Sequence, residues 1–168
     1  MATHRIQILS FAALPDTSGN VYFEPHAVNF GSNDRYAGMV AVFKDTATRD
    51  KLGFRFRVPK NYVGAAKFIV GWAGTVTTGN VRWELDYTAV ATSAESLDPS
   101  ADQEALGVTS AVAGSARQSV EASMTATAGN FAADDHVMGV LARDGTDAAD
   151  TMANGAYLFS LEFEYADV

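Results

Sequence analysis

The sequence contains no cysteine. That removes disulfide scaffolds, zinc ribbons, iron–sulfur sites and cysteine nucleophiles together. No apolar run approaches the roughly 18 residues of a membrane span. Met1–Ser10 is not a signal peptide, having His4 and Arg5 but no long apolar stretch behind them. Positive charge is scarce: 12 Lys and Arg stand against 20 Asp and Glu, a net charge of −8. A general nucleic-acid binder would carry the opposite balance. The straight-chain helix formers are thin, with four lysines and seven glutamates. Histidine occurs three times, at 4, 26 and 136, and no H-x-H or H-E-x-x-H pair offers metal ligands at a useful spacing.

What is present points to strands. The 168 residues fit one domain, and a chain of that length buries on the order of 70% of its unfolded surface without a covalent staple. Valine (16) and the aromatics (18) far outnumber leucine (9), and there are 14 glycines. This is a β composition. The 29 alanines are the one conflicting signal. Charge is unevenly placed: residues 1–67 carry a net +4 and residues 68–168 a net −12. Either the two halves form chemically different faces, suited to pairing between copies, or strands from both halves interleave and the asymmetry averages out.

Alternation of period two dominates the chain. Phe54, Phe56 and Val58 face one way, Arg55 and Arg57 the other. Phe68, Val70 and Trp72 share a face. Val81, Trp83, Leu85 and Tyr87 oppose Arg82, Glu84 and Asp86. Val120, Ala122 and Met124 oppose Glu121, Ser123 and Thr125. Tyr157, Phe159, Leu161, Phe163 and Tyr165 read as the inward set of a last strand. His136–Arg143 is almost continuously apolar, as for a strand buried on both faces. Arg5–Phe11, a hairpin-like Asn20–Phe23 and Tyr36–Lys44 complete the set. Leu97–Gly107 breaks the pattern, as a loop or as a short helix over Ser100–Leu106. Eight to ten strands with turns every 8–12 residues predict an all-β, antiparallel sandwich, with a jelly roll the best single architecture.

Chemistry is sparse. Asp144, Asp147 and Asp150 have the oxygens for a calcium ion, yet the spacing is not that of an EF-hand, and Asp and Gly are also what a turn needs. Asp135-His136 is a neighbour pair at a strand start, with no G-x-S-x-G elbow to make it part of a triad. Trp72, Trp83 and Tyr87 lie in the core phase, leaving Tyr62, in a turn, as the exposed aromatic of the group. No cofactor motif is present. The candidate partner contacts are basic: Arg49, Lys51, Arg55, Arg57 and Lys60, with Arg55 and Arg57 projecting together from the non-core face of one strand.

Two stretches carry a resemblance. The first is Phe54–Gly64 (FRFRVPKNYVG), running on through Phe68–Trp72, Thr77–Val81 (TTGNV) and Trp83–Tyr87. The second is Asn130-Phe131, Val137–Arg143, Asp147, Asp150-Thr151 and Leu161–Tyr165. Together, over residues 20–167, they resemble small jelly-roll structural proteins of tailed bacteriophages: capsid decoration (cement) proteins, head-fibre bases and related accessory proteins. The resemblance implies a non-enzymatic protein on the capsid surface of the virion, made in the host cytoplasm. Its partners would be the major capsid protein and itself, with a trimer favoured, and neither nucleic acid nor membrane. It would stabilise the assembled head by bridging neighbouring capsomers. It brings no catalytic residues. Residues 1–18 depart from the pattern and read as a strand or docking arm beside a single domain over 19–168. The alternative is a receptor- or carbohydrate-binding module of a fibre or tail.

Overall fold

The structure, a computed structural model, describes residues 1–13, 21–30, 34–91, 95–96 and 103–167. Among them are eleven strands: β1 (Thr3–Gln7), β2 (Ser10–Ala13), β3 (Tyr22–Phe30), β4 (Asp34–Phe43), β5 (Asp50–Arg57), β6 (Tyr62–Gly74), β7 (Asn80–Val90), β8 (Glu104–Ala111), β9 (Val120–Thr125), β10 (His136–Arg143) and β11 (Ala156–Asp167). One 3₁₀ turn, Ala128–Asn130, follows β9. One sheet has the order β3-β4-β11-β6-β9, with β1 also paired to β11; the other runs β2-β5-β10-β7-β8. All pairings are antiparallel. The two sheets pack face to face as an all-β sandwich of jelly-roll type.

The alternating pattern places the core. In β7, Val81, Trp83, Leu85 and Tyr87 are fully buried between the sheets, opposite Phe68, Val70 and Trp72 of β6. At one end Trp83 meets Phe43 edge-on at 5.0 Å and Trp72 at 5.9 Å between ring centroids. At the other end an aromatic cluster holds Phe68, Tyr87, Phe131 and Phe163, with Tyr87 stacked on Phe131 at 5.0 Å. Aromatic pairs at such separations add to the burial of their area. Gly139 makes one approach possible: a Cβ there would lie 2.4 Å from the Phe54 ring and 2.6 Å from the Asp86 carbonyl oxygen.

Several sequence expectations need correcting. The inward set of β11 changes phase at Phe159, because the register to β6 slips between Leu158 and Ser160. A β-bulge of this kind inserts one unpaired residue. Ala156 and Leu158 therefore join Leu161, Phe163 and Tyr165 in the core, while Tyr157 is half-buried outside it and Phe159 is 40% exposed. Tyr62 is not an exposed turn residue: it opens β6, donates its hydroxyl to the Ala128 carbonyl at 2.8 Å and packs on Phe131. Glu104–Gly107 belongs to strand β8 rather than a helix; the rest of that expected helix, 100–102, lies outside the described residues except for Gln103. The hairpin expected at Asn20–Phe23 spans β3 and β4 instead. His136–Arg143 is central in its sheet, but His136 is exposed and Met138 and Val140 are half-buried, so one face is open. Within residues 1–18, β1 joins one sheet and β2 the other.

One end of the sandwich is closed by charge. Arg143 sits at a core-facing position of β10, opposite Trp83, and is fully buried. Its guanidinium holds Asp150 through two bonds, at 2.9 and 2.7 Å. It also donates to the carbonyls of Phe43, Met152 and Asn154. Asp150 in turn accepts the Arg82 amide at 3.0 Å. A planar fork with five donors suits this cage of fixed oxygens. Removing one partner of such a pair strands a buried charge, at a cost of about 3–5 kcal/mol. Asp150→Ala is therefore expected to lower unfolding free energy by about that amount in urea titrations, and Arg55→Ala by less than about 0.5 kcal/mol.

Candidate functional site

The open outer face of the second sheet holds the basic residues singled out from sequence. Pairing sets its rows: His136 lies between Arg57 and Val90, Met138 between Arg55 and Thr88, Val140 between Gly53 and Asp86, and Ala142 between Lys51 and Glu84. The result is a cationic stripe on β5, an apolar one on β10 and an acidic one on β7. At the Arg143 end the charges are matched within the chain. Arg49 reaches Glu84 at 2.6 Å and Asp86 at 3.5 Å, and Arg82 lies 3.6 Å from Asp147. Lys51 also has a partner.

The His136 end is different. Arg55 donates to the Ser10 hydroxyl at 3.1 Å, and no carboxylate among the described residues pairs with it. Arg57, 52% exposed, stands 3.3 Å from Asp134. Lys60 is exposed in the turn after β5. The structure thus brings Arg55 and Arg57 together, engages Arg49 and Lys51 elsewhere and sets Lys60 beyond the strand. Beside Arg55 lies a shallow depression of about 490 Å³, lined by Ser10, Arg55, Phe56, His136, Val137 and Met138. It forms where β2 stops opposite Arg55 while β5 runs on to Arg57. An exposed cation with no carboxylate partner among the described residues, an exposed imidazole and a hydroxyl therefore stand beside the half-buried Met138. That combination suits an anionic group carried on an apolar body.

The remaining titratable groups are occupied in holding strands together. Glu104 of β8 accepts from the Tyr87 hydroxyl, from Thr127 through both amide (2.9 Å) and hydroxyl (3.0 Å), and from Asn130 at 3.2 Å. Burial pushes its carboxyl up, but those hydrogen bonds outweigh it and hold the group below the usual glutamate range. Burial, with the Glu104 bond, pushes the Tyr87 hydroxyl well up. On the first sheet, Arg5 and Lys67 flank Glu164 at 2.8 and 3.0 Å and lower its pKa. His4 meets Asp167 at 2.9 Å. The three turn carboxylates do not converge. Asp150 is held by Arg143, Asp144 accepts from Thr146, and Asp147 accepts from the Ala149 amide. Among the described residues no group of three or more His, Asp or Glu side chains is placed to hold a metal ion.

No protein-family profile matches the sequence, and no curated protein matches it. Solved structures of similar shape include a family 35 carbohydrate-binding module from Clostridium thermocellum, 14% identical, covering 97% of this chain and 98% of that one at a TM-score of 0.46. A CBM35 from Cellvibrio japonicus Abf62 is 11% identical, covering 99% of each chain, with a TM-score of 0.48. The K1 cleaved adhesin domain of Lys-gingipain from Porphyromonas gingivalis W83 is 9% identical, covering 99% of each at 0.47. At these values the likenesses assign nothing to this chain.

Sequence reasoning found Arg55 and Arg57 by their phase. It missed Ser10, Phe56, His136 and Met138 as their neighbours, since only the strand order β2-β5-β10 brings these together. It also missed Arg143, whose place in a strand of core phase was the available signal. The lowered carboxyls of Glu104, Asp144 and Glu164 set a pH dependence. A group more acidic when folded contributes its full stability above its unfolded value, roughly 4 for these groups. That contribution is lost as pH falls through the folded value. Urea midpoints should therefore fall steeply below about pH 4, and Glu104→Gln should flatten that fall while lowering the midpoint at pH 7.

Proposed function

We propose that the chain is a non-catalytic binding module that docks through the His136 end of its second sheet, as a decoration protein on a bacteriophage head. One observation carries the docking part: an exposed Arg55 with no carboxylate partner among the described residues, beside a depression that Met138 and His136 also line, on a chain of net charge −8. The virion setting rests on the resemblance of the Phe54–Gly64 and Asn130–Tyr165 stretches. Repetition on a head makes modest contacts effective, since linked sites raise effective concentration. A protein that binds the assembled shell and not its free subunits stabilises that shell by linkage. In this reading Arg55 and Arg57 meet an acidic surface of the capsid protein, and the closed Arg143 end faces away.

A glycan ligand is the second reading, and specific residues favour it. Tyr22, Phe23 and Phe159 are 44%, 44% and 40% exposed, so aromatic surface for sugar stacking exists outside the core. Imaging of virions with and without the protein separates the two. Decoration predicts a regular lattice of extra density on the head and no binding on a glycan array. Density restricted to tail or fibre tips, or glycan binding lost on Phe159→Ala, would favour the second reading.

A further inference from the structure

The depression has a polarity that a small anion would leave unused. Val58 directs its main-chain groups at β10, accepting the Asp134 amide at 3.1 Å and donating to the Asp135 carbonyl at 2.9 Å. Alternation therefore turns the N–H and C=O of Arg57 toward the opposite edge. There β2 has ended at its pair with Arg55, and Ile8 gives its own amide to Leu161 in the other sheet. Arg57 has no main-chain partner on that edge among the described residues. An open ladder position of this kind accepts an added extended segment.

Side chains around that edge define what the segment carries. Arg55 and Arg57 project to the same side, two residues apart, as alternate residues of a strand do. On the same face Met138 of β10 stands opposite Arg55, whereas Phe56 alternates to the inner face, against Phe68 and Phe163. His136 is exposed on the far side, and Ser10 bounds the near side. The carboxylate facing this group among the described residues is Asp134, against Arg57. Resting on the docking reading above, the geometry points to an occupant of one kind: an extended acidic segment of a partner protein. Its carboxylates alternate with an apolar side chain and its backbone extends the β2 line past Arg57. The carboxylates meet Arg55 and Arg57, the apolar residue turns to the opposite face beside Phe56, and the backbone pairs with Arg57. A sugar acid would satisfy Arg55 but leave the edge unpaired.

The test uses the isolated full chain and capped hexapeptides, followed by amide chemical shifts and titration calorimetry. A peptide alternating Glu and Leu should bind, shifting the amides of Arg57, His136 and Met138, and should weaken as salt rises. Arg55→Glu and Arg55→Gln should each weaken it at least tenfold, and Lys60→Glu by less than twofold. The matching Lys–Leu peptide should not bind. Absence of Glu–Leu binding, shifts confined to other strands, or oligogalacturonate binding at these residues in place of the peptide would overturn the assignment. Peptide binding by the isolated chain is read independently of virion imaging, so failure of the capsid setting and failure of this site are told apart.

Discussion

The buried Arg143–Asp150 pair is the constraint on which the rest of the sandwich depends. A guanidinium with no exposure to water requires acceptors on every side, and the chain supplies them from two places: Phe43, and Asp150, Met152 and Asn154 of one connection. Phe43 ends β4, and residues 144–155 connect β10 to β11 across the two sheets. One side chain thereby fixes how the sheets meet at that end. Asp50, also fully buried, performs a related task by accepting the Lys44 amide at 2.6 Å. The Asp-rich turn that looks like a cation loop in the sequence folds around a cation the chain itself provides.

The opposite end is joined by a partly buried hydrogen-bond network. There Glu104 ties β8 to Thr127 and Asn130 beyond β9, and Tyr87 joins the same network from inside. Beside this end β2 reaches only as far as Ser10, opposite Arg55, so β5 carries Phe56 and Arg57 past the end of its neighbour. The free edge at Arg57 arises from that single topological fact. The β10 stripe remains half-open because the sheet has nothing packed over Met138 and Val140 among the described residues.

Much of this was legible in the sequence, for a physical reason. Strands buried on one face write a period-two code, and β5, β7 and β9 followed it residue by residue, Trp83 included. The code fails where geometry inserts a residue, as at Phe159, since a bulge shifts phase without changing composition. It also fails for Arg143, because a charged residue at a core position reads as a strand end until its partner is known. The charge asymmetry between halves resolves in part: Arg49 of the basic half pairs with Glu84 and Asp86 of the acidic half, as interleaved strands allow. Arg55 is what that averaging leaves over, and no one-dimensional count distinguishes it from Arg49.

The account's central claim is that one end of the sandwich is locked and the other, at Arg55, Arg57 and His136, is the docking surface. Amide hydrogen exchange, compared between the free chain and the chain mounted on virions, tests it most directly. The claim predicts new protection confined to residues 55–58 and 136–138, with residues 143–152 already protected in both states. Protection appearing instead along β3 and the Phe159 bulge, with none at residues 55–58, would contradict it.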